Sequence, residues 1–317
     1  MVKRFGIHRD SLAIEVGSND GYLLQYVKRL GIPCLGIEPT ASTATASRSK
    51  GIETLEEFFG VGLAQNLAGQ GRQADLMAAN NVLAHVPDIN DFAKGFAILL
   101  KSTGIATFEF PHLMHLVEQK QFDTIYHEHF SYLSFTTVHR IFKANGLSVF
   151  DVEELDSHGG SLRVFAQRAD TGRQPVAAGV DSLLKREAAA GMNQAAYYKG
   201  FQEQANKVKN DLLRFLLEAK RQAKMVAGYG AAAKGNTLMN YAGIRPDMIP
   251  FVVDRNPAKQ GKYMPGSRIP ILSEKDLKAA KPAYILILPW NLSEEIMTQL
   301  AYVREWGGQF VTAVPEL

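Results

Sequence analysis

Short apolar runs alternate with amphipathic stretches along this chain, and the first two stop at a glycine and an acidic residue. Leu12–Val16 ends at Gly17, Tyr22–Arg29 follows at helical spacing, and Cys34–Ile37 is a second apolar run ending at Glu38. A buried run of four or five residues, a turn and a helix-period stretch pack compactly as a βαβ unit, because parallel strands bury both faces and need a crossover. Further runs at Asp75–Ala79 and Gly104–Phe110, separated by the helix-period stretch Asp91–Leu100, extend the pattern. The first half is therefore expected to be a doubly wound α/β sheet.

After Pro111 the alternation changes. Thr136–Ala144 reads as a helix closed by Asn145-Gly146, and Leu147–Val152 and Ser161–Gln167 read as two strands joined by Asp156-Ser157-His158-Gly159-Gly160, an antiparallel hairpin at the edge of a parallel sheet. From Asp181 to Lys224 the chain is helical, with Phe201, Ala205, Val208, Leu212, Phe215 and Ala219 on one face. A second βα opening begins at Met225–Gly230, and later runs at Ile249–Val253 and Tyr284–Leu288 end at Asp254 and before Pro289-Trp290. The expected organisation is an α/β domain over 1–168, a helical bridge over 169–222 and a smaller Rossmann-like domain over 223–317.

Composition narrows the partners. The 35 basic and 32 acidic residues are interspersed and leave a net charge of +3, so a phosphate backbone finds no basic stripe and nucleic acid is not expected. One cysteine, Cys34, excludes an intrachain disulfide and any thiolate cluster, which fits a cytoplasmic setting. No apolar stretch approaches the ~20 residues that cross a bilayer, and the start has no apolar leader. No feature specifies an oligomeric state.

The turn after the first strand, Glu15-Val16-Gly17-Ser18-Asn19-Asp20-Gly21, lets backbone approach a ligand because glycine has no Cβ, although its spacing differs from G-x-G-x-x-G. Glu38, at the end of the second strand, is placed to accept from ribose hydroxyls, and Asn19-Asp20 suit a charged amino-acid tail. Asn80, Asn81, Val82 and His85 end the next relevant strand, where a crevice ligand would meet them.

Over Ser11–Gln167 these features resemble the class I S-adenosylmethionine-dependent methyltransferases, whose fold also closes with an antiparallel hairpin. The resemblance implies that Glu15, Gly17, Asn19, Asp20 and Gly21 wrap the methionine and ribose of S-adenosylmethionine, that Glu38 holds the ribose, and that Phe58 flanks the adenine.

Downstream lies Tyr126-His127-Glu128-His129, a cluster of proton-transfer groups shortly after the strand ending at Phe110-Pro111. Two histidines at i and i+2 with a glutamate between match neither HExxH nor a CxxC-based site, so no metal is expected. As acid/base chemistry the set is natural: an imidazole accepts a proton, a carboxylate orients it, a phenol donates to an oxyanion.

This cluster, with Phe108-Glu109-Phe110-Pro111 before it and His158-Gly159-Gly160-Ser161-Leu162-Arg163 after it, resembles the C-methyltransferases of nucleotide-activated keto sugars. The likeness runs on through 228–237, 252–257 and Pro289-Trp290-Asn291. It implies that a ketone acidifies the neighbouring C–H, His129 removes that proton, and the enolate carbon attacks the sulfonium methyl, with Tyr126 and Glu128 positioning the sugar and His127 a neighbour. It also implies substrate contacts from His158, Ser161, Lys234, Asn236, Thr237 and Asp254.

The second glycine turn fits neither a dinucleotide fingerprint nor a phosphate loop by spacing, yet a lysine at a helix start can meet a pyrophosphate. Members of that family usually carry a cysteine-rich zinc module before the methyltransferase domain, and this chain is expected to lack it. Two competing expectations remain. One is a nicotinamide-dependent oxidoreductase, from the Gly228–Gly230 turn and Asp254. The other is a non-catalytic nucleotide-binding relic.

Overall fold

The computed structural model describes all 317 residues, Met1–Leu317. Their contacts divide them into two units, Met1–Met114 with Glu128–Tyr197, and His115–His127 with Tyr198–Leu317.

The first unit is built on β1 (Ala13–Val16), α1 (Leu24–Arg29), β2 (Cys34–Ile37), α2 (Ala41–Ser49), β3 (Glu53–Leu55), α3 (Val61–Gly69), β4 (Ala74–Asn80), α4 (Ile89–Leu99) and β5 (Leu100–Pro111). After α5 (Leu113–Glu118), α6 (Phe135–Ala144), β6 (Leu147–Leu155), β7 (Ser161–Arg168) and α7 (Ala178–Ala190) complete it. The strands lie in the order β3-β2-β1-β4-β5-β7-β6, parallel except for β7, which runs antiparallel to both β5 and β6. This is the class I methyltransferase arrangement. Strand order reverses between β1 and β4, and the crevice outside their carboxyl ends is where such sheets take ligands.

Local chemistry explains the element ends. The Asp88 side chain accepts from Asn90 N and Asp91 N at the start of α4. Ser134 does the same for Thr137 N at α6, and buried Glu187 of α7 accepts from Phe135 N and Thr136 N, each at 2.7 Å, while meeting His112 Nε2 at 2.7 Å. Glu187 therefore fixes both feet of the long β5–α6 excursion, His112 at one end and Phe135 at the other. The core over this sheet is aromatic: Phe96, Phe108 and Phe142 are fully buried, with successive ring centroids 4.5 Å apart.

The second unit holds α8 (Phe201–Arg221), β8 (Val226–Tyr229), α9 (Ala233–Tyr241), β9 (Val252–Val253), β10 (Ile271–Leu272), α10 (Glu274–Ala280), β11 (Tyr284–Ile287), α11 (Ser293–Gln299) and β12 (Gln309–Val311). Its five strands are all parallel, in the order β10-β9-β8-β11-β12.

The expected bridge over 169–222 is not one element. Val180 and Leu183 of α7 belong to the first unit's core, whereas Ala205, Val208, Leu212, Leu216 and Ala219 of α8 belong to the second's. The run at Ile249–Val253 contributes only Val252–Val253 to the sheet; Ile249 and Phe251 are core residues outside the ladder. No helix is long and apolar enough to cross a membrane.

Candidate active site

At the carboxyl edge of β1, β2 and β4 the first unit opens into a cavity of about 620 Å³. Gly17, Asn19, Glu38, Phe58, Asn80, Asn81, Val82 and His85, eight of the residues expected to hold the cofactor, line it, and so does Glu128. The walls also include Tyr22, Phe59 and Val86, which sequence reasoning did not single out. The Phe58-Phe59 pair was the available signal, since adjacent aromatics just past a short strand must face partly outward.

Gly17 is required by the shape. Its φ is +69°, and a Cβ there would collide with Val82 Cγ2. The turn is stitched to the second strand: Gly17 N donates to Ile37 O at 2.8 Å, Asn19 N to Glu38 Oε2 at 2.9 Å, and Thr40 N to Glu38 Oε1 at 2.9 Å. Each Glu38 oxygen keeps lone-pair capacity for a diol. Asn81, in the left-handed region at φ 57°, has a buried Oδ1 without a hydrogen-bond partner. An unpaired acceptor on the wall, a carboxylate beside it and exposed Phe58 suit the ammonium, ribose and adenine of S-adenosylmethionine, so the residues fit the group.

Three expected cofactor contacts stand elsewhere. Gly21 is a packing glycine, since a Cβ would lie 2.5 Å from Ile52 Cδ1 and 2.8 Å from Ser47 Oγ. Asp20 turns to Lys50 at 2.6 Å, a hydrogen bond that holds its carboxyl below the ordinary value. Glu15 lies in β1 at 1% exposure and does not line the cavity; burial pushes its carboxyl up to about 8, and its Oε2 has no partner. Periodicity located these residues in the turn but not the direction of their side chains.

His85 is tied to the acid/base cluster. Its Nδ1 lies 3.0 Å from the Glu128 carbonyl oxygen, which only accepts, so Nδ1 carries a proton and any lone pair of the ring is at Nε2. Phe130 N donates to Ala84 O at 2.8 Å, anchoring the same loop. The His129 ring packs edge-on against His85, centroids 4.7 Å apart, and against Tyr132 at 5.8 Å. Glu128 thus lines the cavity and His129 packs on cavity-lining His85, while Tyr126 and His127 belong to the second unit.

The expected substrate residues divide. His158 sits at φ 58° in the β6–β7 turn, followed by Gly159 and Gly160 at 91° and 110°. Ser161 is corrected: it is fully buried and donates to Ser157 O at 2.9 Å, so it locks that turn. The turn is further held by Glu109, which accepts from Ser157 Oγ at 2.9 Å and Arg163 at 2.8 Å.

In the second unit a smaller cavity of about 310 Å³ lies where β8 enters α9, lined by Asn236, Lys259, Lys262 and Tyr263 among others. Lys234 donates to Asn291 Oδ1 at 3.0 Å, and burial pulls its ammonium down to about 8 against the opposing charge of Asp123. Thr237 is corrected, because its hydroxyl donates to Ala233 O in its own helix. Asp254 is corrected likewise: it accepts from Ala231 N and Asn256 N, each at 2.8 Å, and meets Lys259 Nζ at 3.2 Å, so it organises the turn.

A family model described as a methyltransferase domain matches residues 2–152, and one described as the C-methyltransferase C-terminal domain matches residues 156–315. The C-methyltransferase NovU of Streptomyces niveus is 35% identical over 315 residues, 99% of this chain and 75% of that protein. The chain belongs to the C-methyltransferase family. It is an S-adenosylmethionine-dependent methyltransferase, which sets aside the oxidoreductase and the inert relic. Among solved structures it is similar to a magnesium protoporphyrin IX methyltransferase from Synechocystis PCC 6803 with bound S-adenosylmethionine, at 15% identity and TM-score 0.40 over 53% of this chain and 74% of that one. An S-adenosylmethionine-dependent methyltransferase from Mesorhizobium loti is similar at 12% identity and TM-score 0.42, over 53% of this chain and 95% of that one. This C-methyltransferase therefore joins two recognisable domains in one chain.

Proposed function

We propose that this C-methyltransferase methylates a carbon beside the ketone of a nucleotide-activated sugar, with His129 as the base. The observation that carries the reading is the packing of His129 on cavity-lining His85, while the Glu128 carbonyl fixes the His85 tautomer. Bound S-adenosylmethionine supplies an electrophilic methyl at that cavity. Gly17, Asn19, Glu38, Phe58 and Asn80–Val82 hold it, and buried Glu15 stands in the strand that leads into the turn.

His129 takes the proton from the carbon next to the ketone, leaving an enolate whose carbon is the nucleophile. Tyr126 donates a hydrogen bond to the enolate oxygen, Glu128 orients the sugar, and His158 contacts it from the hairpin turn. The nucleotide is assigned to the second unit, where Lys234 at the head of α9 meets the diphosphate and Asn236 borders a cavity with two further lysines and exposed Tyr263. Cytoplasmic nucleotide sugars are the matching substrate pool.

The test is deuterium exchange at the substrate carbon together with methyl transfer, measured on a panel of nucleotide keto sugars. His129→Asn is expected to retain S-adenosylmethionine affinity and lose about 10²–10⁴ in both rates. Full exchange in that variant removes His129 as the base. The Nε2 lone pair of His85 favours His85 as the second reading, and loss of exchange in His85→Asn with retention in His129→Asn would select it.

A further inference from the structure

One stretch of the C-terminal unit comes from an unexpected place in the sequence. Residues 115–127 follow β5 and precede α6, yet they pack with the second unit. Phe122 joins the apolar cluster that contains Leu238, Met239 and Leu288, with its ring 5.2 Å from Tyr241. The next residue, Asp123, is fully buried. Its Oδ2 accepts the Trp290 indole N–H at 2.8 Å, and its Oδ1 has no hydrogen-bond partner.

Trp290 has a second attachment. The Lys234 ammonium lies 4.3 Å from the centre of its ring, and the same ammonium donates to Asn291 Oδ1. Three segments therefore meet through one indole: the head of α9, the turn after β11 and the segment around Asp123. A buried acid with an unsatisfied oxygen is a costly way to pack, and an apolar residue of similar volume would hold the segment as well. Burial pushes the Asp123 carboxyl up to about 6, with the Trp290 hydrogen bond and the Lys234 charge drawing it down, so the group answers to its neighbours' charge.

We propose that Lys234, Trp290 and Asp123 form a positioning relay, in which engagement of an anionic substrate group by Lys234 is passed through the indole to Asp123 and sets the backbone carrying Tyr126. The relay rests on the nucleotide-sugar reading above. A diphosphate oxygen drawn to Lys234 competes with Asp123 for the same positive charge, so the carboxylate's hold on its surroundings changes with occupancy. Tyr126 follows Asp123 by three residues, a reach of at most about 11 Å, and a shift at one is felt at the other. Asp123 touches no reacting atom and is a positioning residue.

The test uses the full chain with Asp123→Asn, which keeps the shape, and Trp290→Phe, which keeps a ring beneath Lys234 and deletes the N–H. Calorimetry gives S-adenosylmethionine affinity, steady-state kinetics separates kcat from KM, and deuterium exchange without the methyl donor isolates proton abstraction. In both variants the donor affinity is expected to stay within about twofold and the KM for nucleotide sugar within about threefold. The kcat and exchange rate are expected to fall by about a hundredfold, the scale of a small misplacement. Because Asp123→Asn removes the charge and Trp290→Phe the donor of one and the same contact, the double variant should be no worse than the worse single one.

An active wild type with unchanged kcat in Asp123→Asn and Trp290→Phe overturns the relay alone. Parallel loss of melting temperature and donor affinity in both variants overturns it too, in favour of a packing role. A wild type inert on every nucleotide keto sugar overturns the substrate reading and the relay with it.

Discussion

The two glycine turns of this protein share one device and use it differently. In the first, Asn19 N donates to Glu38, the acid at the end of β2; in the second, Ala231 N donates to Asp254, the acid after β9. Both acids brace the turn that follows the opening strand. Glu38 is held by backbone N–H groups alone and borders a cavity of about 620 Å³. Asp254 is met by Lys259, whose ammonium also donates to Ala231 O at 2.8 Å. A local cation satisfies the second acid, so its turn is a built-in support, while the first acid stays available to a ligand's hydroxyls. The same βα opening can serve either purpose, and the neighbour of the acid decides which.

The largest expected effect comes from filling the glycines. Gly17→Val should abolish measurable binding of S-adenosylmethionine in calorimetry, because the side chain meets Val82 on the cavity wall and φ +69° strains it. Gly230→Val, whose Cβ would lie 2.5 Å from Pro289 Cδ, should lower the melting temperature and leave donor affinity within about twofold at temperatures where it is folded. Equal loss of affinity in both would break the contrast.

Next in size, Glu38→Ala should weaken donor binding by about ten- to a hundredfold, the worth of charged hydrogen bonds of about 1.5–3 kcal/mol. Asp254→Ala should leave donor binding unchanged.

A smaller effect tests the proposed anion role of Lys234. Its ammonium, held at about 8 instead of 10.5, loses charge as pH rises through that value. The KM for nucleotide sugar should therefore rise several-fold between about pH 7 and about pH 9, and Lys234→Arg should flatten the rise because guanidinium keeps its charge.

The smallest effect concerns stability. The Glu15 carboxyl is raised from 4.5 to about 8, so its contribution is fully present below about pH 4.5 and lost as pH climbs to about 8. The melting temperature of Glu15→Gln should gain on wild type across that window and level off above it. A constant gap would show that Glu15 ionises freely.

Much of the fold was legible because its signals are local. Apolar runs ending at Gly17, Glu38 and Gly228–Gly230 mark strands whose carboxyl ends border the cavities, and 161–167, which reads as a hairpin strand, pairs antiparallel with both neighbours. β3, β10 and β12 escaped notice because two or three edge residues carry no period of their own. Side-chain roles were less legible. Ser161, Thr237 and Asp254 have the chemistry of ligand contacts, and short hydrogen bonds to nearby backbone commit them to turns and a helix instead.

The sequence by itself determined the principal strands of both sheets, the glycine that keeps the first turn open and the family to which the chain belongs, since each is written in contiguous residues. Tertiary structure alone decided which nitrogen of His85 carries its proton, how deeply Glu15 is buried, and that residues 115–127 pack with the second unit. The Asp123–Trp290 hydrogen bond spans 167 positions, and no local pattern encodes a contact that exists only once two distant segments reach the same core.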